Sequence, residues 1–129
     1  MYKMNMSEIY RAEVLEHANK PKNFGVLKKP SHQASVFNSF CGDAIDIYID
    51  IKDKKISKVR FRGKGCILSV ASASLFTEWI KGKYFSYILK SKPQQVIKKL
   101  KLTVSPGRRK CVLLVYEALN KALSSTTLC

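Results

Sequence analysis

The clearest pattern along the chain is a strict alternation of apolar and polar residues in its middle part. Isoleucine recurs at every second position from Ile45 to Ile51, and a period of two is typical of a strand that buries one face. Asp53 to Lys55 follows as a turn, and Ile56 to Phe61 predicts the returning strand of a hairpin. Another strand is predicted over Ala34 to Phe40.

Helical spacing of apolar residues characterises the rest of the chain. Ser7 is a suitable N-cap for a helix that runs to about His17. Residues Cys66 to Ile80 favour a helix that Gly82 ends. Further helices are predicted over Tyr84 to Leu89, from Pro93 onward, and from Ser105-Pro106 to about Leu123. The set predicts an α+β fold, a three-stranded antiparallel sheet with helices packed on one face.

The composition fits one globular domain over residues 1–129. Apolar residues make up 46% of the chain and charged residues 26%, a balance that excludes disorder throughout. No secretory signal is visible, and the densest apolar stretch near the end, Val112 to Tyr116, is far shorter than the roughly 20 residues that cross a bilayer. We therefore expect a cytoplasmic protein with no membrane partner, whose cysteines stay reduced.

The formal net charge of +15 comes from 24 Lys plus Arg against 9 Asp plus Glu. This excess is compatible with a solvated lysine-rich surface, with steering toward an acidic partner protein, and with nucleic-acid binding. The lysines are spread over every predicted element and are not interleaved with aromatic residues. We therefore do not expect a nucleic-acid partner.

Reduced cysteines point to metal or sulfur chemistry. Cys41 and Asp43 flank Gly42 in a predicted loop between two strands, and glycine permits a bend that aims a thiolate and a carboxylate at one point. Cys66 opens a predicted helix, whose N-terminus favours a thiolate. Cys111 lies on the apolar side of the last predicted helix. Each cysteine taken alone is also compatible with an inert, packed residue.

If the fold brings these four side chains together, they form a metal site with excess negative charge. Arg108, Lys110 and Lys64 are the candidate cations that offset it. A carboxylate is a harder ligand than a thiolate, so the set favours a site that gives its cargo away over a permanent structural zinc site. The separations match no short zinc-finger spacing, so spacing alone suggests this site without establishing it.

The other reactive residues are given structural roles. We expect Cys129 to be a free thiol, His17 and His32 to be surface or structural residues, and Ser69, Ser72 and Ser74 to be small residues for helix packing. No phosphate-binding loop, dinucleotide fingerprint or acid pair is present.

Several segments, in the right order, resemble the signature of the U-type iron–sulfur scaffold family, which comprises SufU, IscU and the N-terminal domain of NifU. Asn38 to Asp43 is similar to the family's NPxCGD loop, Gly63 to Ser74 to its GxGCxxSxAS(A)S segment, and Arg108 to Leu114 to its RxKCxxL segment. Tyr10, His17, Pro21, Asn23 and Gly25 are similar to the N-terminal signature, and Gly82-Lys83 to the GK that follows the helix.

The resemblance implies a fold of the SufU/IscU type and a PLP-dependent cysteine desulfurase of the SufS, IscS or NifS kind as partner. Proteins of this family accept persulfide sulfur, bind zinc or a transient 2Fe-2S cluster, and pass their cargo to apo iron–sulfur proteins. By this analogy the metal ligands are Cys41, Asp43, Cys66 and Cys111, the persulfide acceptor is Cys41, and Arg108 and Lys110 supply supporting charge.

The chain also departs from the family pattern. Ser39 replaces the usual proline, and Lys110 stands where IscU has His, as in SufU. The LPPVK segment of IscU, which docks a chaperone, is absent, so a dedicated Hsp70 partner is not expected. The short path from Cys66 to Cys111 leaves no room for the extra segment of SufU. The motif details are closest to SufU.

Three roles stay open: a cluster scaffold, a zinc-dependent sulfurtransferase, and a zinc-stabilised basic interaction or nucleic-acid-binding domain without sulfur transfer.

Overall fold

The computed structural model describes residues 6–39, 42–100 and 109–124, and within them the side chains of all residues except 6–11, 99 and 100. The elements along the chain are α1 (Met6–Asn19), β1 (His32–Asn38), β2 (Asp43–Lys52), β3 (Lys55–Lys64), α2 (Ile67–Ile80), α3 (Phe85–Leu89), α4 (Pro93–Leu100) and α5 (Arg109–Leu123). The predicted α+β fold is confirmed, and every predicted strand and helix has a counterpart.

The sheet is antiparallel throughout, in the order β1-β2-β3. Its inner face carries Ile45, Ile47 and Ile49, which are fully buried, while the residues between them stay partly exposed. The alternation in sequence therefore matches the alternation in burial, as the pleat of a half-buried strand requires. The β2–β3 turn is a two-residue type I′ turn, because Asp53 and Lys54 have φ angles of 54° and 65°.

Strand β2 begins earlier than the isoleucine pattern indicated. Asp43, which the sequence placed in a loop, is the first residue of β2 and pairs with Asn38 of β1. Because Asp43 precedes Ile45 by two residues, its side chain shares the inner face of the sheet with the isoleucines. The loop assignment of Asp43 was wrong, and the difference turns this carboxylate toward the helices.

The helical layer covers the inner face of the sheet. Helix α2 packs on β3, α5 packs on β1 and β2, and the two helices contact each other. Their buried side chains, among them Phe76 and Leu119, meet Phe61 and the isoleucines of β2 in one apolar core. Helix α1 lies against α2.

The loop after α1 is tied to the edge of β3. Asn23, with a φ of 65°, accepts a hydrogen bond on its carbonyl from the amide of Phe61 (2.9 Å), and the amide of Gly25 donates to the carbonyl of Phe61 (2.8 Å). The ring of Phe24 packs edge-on against Phe61 at 5.5 Å. The asparagine and glycine of the N-terminal signature thus allow this loop to lie against the sheet.

Some predicted boundaries lie outside the described residues, namely Phe40 at the end of β1 and the Ser105-Pro106 helix start. At its other end β1 starts two residues earlier than predicted, at His32. No helix among the described residues is both long and apolar enough to cross a membrane. The single-domain organisation and the cytoplasmic location stay predictions.

Candidate metal centre

Three of the four candidate ligands meet at one edge of the fold. Asp43 is the first residue of β2, Cys66 is the N-cap residue of α2, and Cys111 lies in the first turn of α5. One carboxylate oxygen of Asp43 and the two Sγ atoms all lie within 4.8 Å of one another. The fourth candidate, Cys41, lies outside the described residues. The structure thus brings Asp43, Cys66 and Cys111 close together, while their role as metal ligands stays a prediction.

The Asp43 carboxylate is almost fully buried, with a relative exposure of 2%. Its Oδ1 accepts a hydrogen bond from the backbone amide of Cys66 at 3.1 Å, and its Oδ2 accepts one from the hydroxyl of Ser69. Cys66 itself makes no side-chain cap hydrogen bond. Asp43 therefore supplies from a neighbouring strand the negative charge that a helix N-terminus favours.

The Asp43 carboxylate lies directly against the backbone of Gly65. Its φ is +146°, and a Cβ placed on it would lie 2.2 Å from Oδ1 and 2.5 Å from Cγ of Asp43. Any side chain at this position would have to displace the carboxylate. The glycine before Cys66 is thus explained by the space that Asp43 occupies.

The two cysteines differ in access to solvent. Cys66 is half-buried and its Sγ lies 3.5 Å from the hydroxyl oxygen of Ser69. Cys111 is buried on the inner side of α5, with 6% exposure. Of these three donor residues, Cys66 is therefore the one that solvent can reach, while Asp43 and Cys111 are shielded from solvent.

These donors fit a thiophilic metal. Zinc takes thiolate and carboxylate ligands at roughly 2.0–2.3 Å in a tetrahedron, which places the ligand atoms roughly 3.3–3.8 Å apart. The ligand atoms of Asp43, Cys66 and Cys111 lie within 4.8 Å of one another, so they are at most about 1 Å farther apart than in such a tetrahedron, a difference that side-chain rotation can close. With Asp43, Cys66 and Cys111 as three donors, the site requires one more ligand for a closed tetrahedral shell.

The predicted supporting cations are only partly described. Lys110 is exposed in the first turn of α5, directly before Cys111, and Lys64 is exposed at the end of β3, two residues before Cys66. Arg108 lies outside the described residues. No acidic residue occupies the first turn of α5, so the chain adjacent to Cys111 is positively charged.

The serines of α2 do more than the sequence indicated. Ser69 donates to Asp43, and Ser74 accepts a hydrogen bond from the amide of Lys22 at 2.8 Å. Only Ser72 matches the packing interpretation, since its buried hydroxyl has no hydrogen-bond partner in the described part of the chain. The spacing of Ser69, three residues after Cys66 and so on the same helix face, was the available signal for its role.

The histidines lie outside the cluster, as expected. His17 Nδ1 is hydrogen-bonded to the hydroxyl of Ser74 at 2.6 Å and so joins α1 to α2. The ring of His32, at the start of β1, is hydrogen-bonded to Ser31 at 3.0 Å. The structural interpretation of His17 is confirmed. Cys129 lies outside the described residues.

Comparison with known proteins agrees with this geometry. Residues 9–127 match the family model described as the NifU-like N terminal domain. The chain belongs to this family. Iron sulfur cluster assembly protein 1 of Trachipleistophora hominis is 35% identical over 118 residues, which cover 89% of this chain and 84% of that protein. The zinc-dependent sulfurtransferase SufU of Bacillus subtilis is 30% identical, with 95% of each chain covered.

Solved structures of NifU-like domains share the fold. The crystal structure of FiSufU, a scaffold candidate for the SUF system of Fervidobacterium islandicum, superposes with a TM-score of 0.77 at 25% identity, covering 92% of this chain and 99% of that one. The family resemblance inferred from the sequence motifs is therefore confirmed, and so is the SufU/IscU type of fold.

Proposed function

We propose that this NifU-like domain is an iron–sulfur cluster assembly protein that accepts sulfur from a PLP-dependent cysteine desulfurase. In this role it binds zinc or a transient 2Fe-2S cluster and passes its cargo to apo iron–sulfur proteins. The observation that carries the proposal is the convergence of Asp43, Cys66 and Cys111 within 4.8 Å, in a chain of the same family as proteins named for cluster assembly and sulfur transfer.

The proposed ligand set is Cys41, Asp43, Cys66 and Cys111. Two buried donors and one half-buried thiol supply three ligands, and Cys41, two residues before the start of β2, is the proposed fourth. Arg108 and Lys110 are the proposed supporting charges, since positive charge beside thiolates offsets the excess negative charge of the site. A bound zinc ion would hold its thiolate ligands deprotonated at neutral pH.

Cys41 is the proposed sulfur acceptor. Its thiolate attacks the terminal sulfur of the desulfurase persulfide, and a new S–S bond forms on Cys41. The S–S bond to the desulfurase breaks, and the desulfurase cysteine leaves as a thiolate, so the step is an exchange without net oxidation. Asp43, Cys66 and Cys111 keep the rest of the site assembled while Cys41 is engaged.

An exposed apolar residue beside the site supports docking of a partner protein. Ile67, which follows Cys66, is 53% exposed. Phe37 is 65% exposed as well, but it pairs with Ala44, whose side chain lies on the face of the sheet opposite Asp43. Large exposed apolar side chains beside a reactive group are typical of protein–protein contact sites. We propose that the desulfurase covers Ile67 when the persulfide is delivered.

The test is a cysteine desulfurase assay with and without this protein, scored by persulfide on the chain and by turnover. We expect stimulation by the wild-type chain and its loss in Cys41→Ala, with zinc content measured on the same samples. Cys129→Ala is the matched control, because it removes a thiol that is not in the proposed set. Equal persulfide on Cys41→Ala would remove Cys41 from the acceptor role. Zinc binding without any desulfurase response would instead favour a zinc-stabilised interaction domain.

A further inference from the structure

The site contains a contact that no ligand role accounts for, the hydrogen bond from Ser69 to Asp43. Both oxygens of this carboxylate are already engaged within the chain, Oδ1 by the amide of Cys66 and Oδ2 by the hydroxyl of Ser69. Ser69 is 1% exposed and Asp43 2% exposed. Water therefore does not compete for either group, and the contact acts on the carboxylate at full strength. The Ser69 hydroxyl oxygen also lies 3.5 Å from Sγ of Cys66, a longer and weaker contact.

A hydrogen bond to a carboxylate draws negative charge from the oxygen that accepts it. An oxygen that accepts from Ser69 is a poorer donor to a metal than a bare one, because one of its lone pairs is engaged. Residues that hydrogen-bond to a ligand change metal affinity without touching the metal, and usually they strengthen binding by orienting the ligand. Ser69 is placed to act in the opposite direction, because it donates to an oxygen of a carboxylate that Cys66 and Gly65 already hold in position.

We propose that Ser69 is a positioning residue that keeps Asp43 a weak and readily released ligand. Its hydroxyl stabilises the carboxylate in the metal-free site and so lowers the gain in free energy when metal binds. The proposal rests on the proposed function of the same four-ligand site, since it concerns how easily that site releases its cargo.

The direction of the effect separates this role from a packing role. In Ser69→Ala, the carboxylate keeps the Cys66 amide and stays against Gly65, so its position is preserved. It loses one donor in a place that water does not reach, which destabilises the metal-free protein. A bound metal ion supplies positive charge to the same carboxylate and so offsets that loss. The substitution therefore destabilises the metal-free protein more than the metal-bound protein, and by linkage the metal affinity rises. Loss of a merely packed group would lower stability with and without metal and would not tighten binding.

The size of the effect follows from the charged nature of the bond. A buried hydrogen bond to an ionised group corresponds to roughly a tenfold to hundredfold change in an equilibrium constant. We therefore expect Ser69→Ala to bind Zn²⁺ about tenfold or more tightly than the wild type, and to release it correspondingly more slowly.

Ser72→Ala is the matched control. It removes the same atom from the same helix at equal burial, but the Ser72 hydroxyl has no hydrogen-bond partner among the described residues. It should leave zinc affinity and release unchanged. The Asp43→Ala background provides a second control, because it separates the contact of Ser69 with the carboxylate from its contact with Cys66 Sγ. Ser69→Ala should have no further effect on zinc binding there if it acts through the carboxylate.

The experiment uses the full chain, Zn²⁺ and a chromogenic chelator. Affinity is measured by competition, and release is measured from zinc-loaded protein mixed with excess chelator, a measurement that does not need a stable metal-free variant. Tighter binding and slower release in Ser69→Ala alone would support the proposal. Unchanged or weaker binding, an equal effect of Ser72→Ala, or an effect that persists in Asp43→Ala would overturn it. Failure of the desulfurase assay would refute sulfur transfer but leave this result unaffected.

Discussion

A single methyl group at Gly65 tests whether the fold depends on the buried position of Asp43. The backbone φ at Gly65 is +146°, and an added Cβ would lie 2.2 Å from the Oδ1 atom of Asp43. That distance is far below van der Waals contact, so the carboxylate has to leave its position. We expect Gly65→Ala both to destabilise the metal-free protein and to weaken metal binding.

Two costs contribute to the loss of stability. A backbone conformation that suits only glycine costs a residue with a side chain roughly 1–3 kcal/mol. Displacing Asp43 disturbs its hydrogen bonds from Ser69 and Cys66, each worth roughly 1.5–3 kcal/mol because the acceptor is charged, although relaxation recovers part of this. The free energy of unfolding should fall by about 3–6 kcal/mol, a large share of the roughly 5–15 kcal/mol typical of a domain.

Gly82→Ala is the matched control for the backbone cost. Gly82 has a φ of +78°, and nothing lies within 4 Å of a Cβ placed there, so only the left-handed conformation is penalised, by about 1–2 kcal/mol. Urea unfolding in chelator gives the stabilities, and zinc competition gives the affinities. Gly65→Ala should lose about tenfold or more in zinc affinity, while Gly82→Ala should bind as the wild type does. If the two variants behave alike in both measurements, the Asp43 contact does not matter and the reasoning fails.

Two further predictions concern the contacts of α2 away from the site. His17→Ala removes the hydrogen bond to Ser74 that joins α1 to α2, so backbone amides of α1 should exchange faster with deuterium, and unchanged exchange would show that this bond does not hold α1. The side-chain hydrogen bond from Lys81, aided by Asn23, lowers the pKa of Glu78, so this group contributes stability that is present above its ordinary pKa and is lost as the pH falls through the lowered value. Carbon-detected NMR titration should show that pKa rising in Lys81→Ala, and an unmoved pKa would contradict the assignment of cause.

The elements of this fold could be predicted from the sequence because their signals are local. The isoleucine alternation determines which face of β2 is buried, and Gly82, at positive φ, follows the C-cap of α2. Asp43 was misplaced because the alternation was counted from Ile45, although the same period extended by two residues puts it on the inner face. The hydroxyl direction of Ser69 depends on how α2 packs against the start of β2, and no local pattern contains that information.

The arrangement of donors bears on the choice between a permanent metal site and a transfer site. Asp43 and Cys111 are buried and Cys66 is half-buried, so these three donors are fixed by the sheet and two helix starts. Cys41 precedes β2 by two residues in the sequence. In the proposed function Cys41 must leave the metal to receive sulfur, and the other three donors must hold the site together meanwhile. A carboxylate already hydrogen-bonded to Ser69 and Cys66 suits that task, because it stays in place when the metal is exchanged or released. The hydrogen bond from Ser69 that makes Asp43 a weaker ligand therefore also keeps the site ready to bind again after release. A cargo-carrying protein requires this property, and a permanent structural zinc site does not.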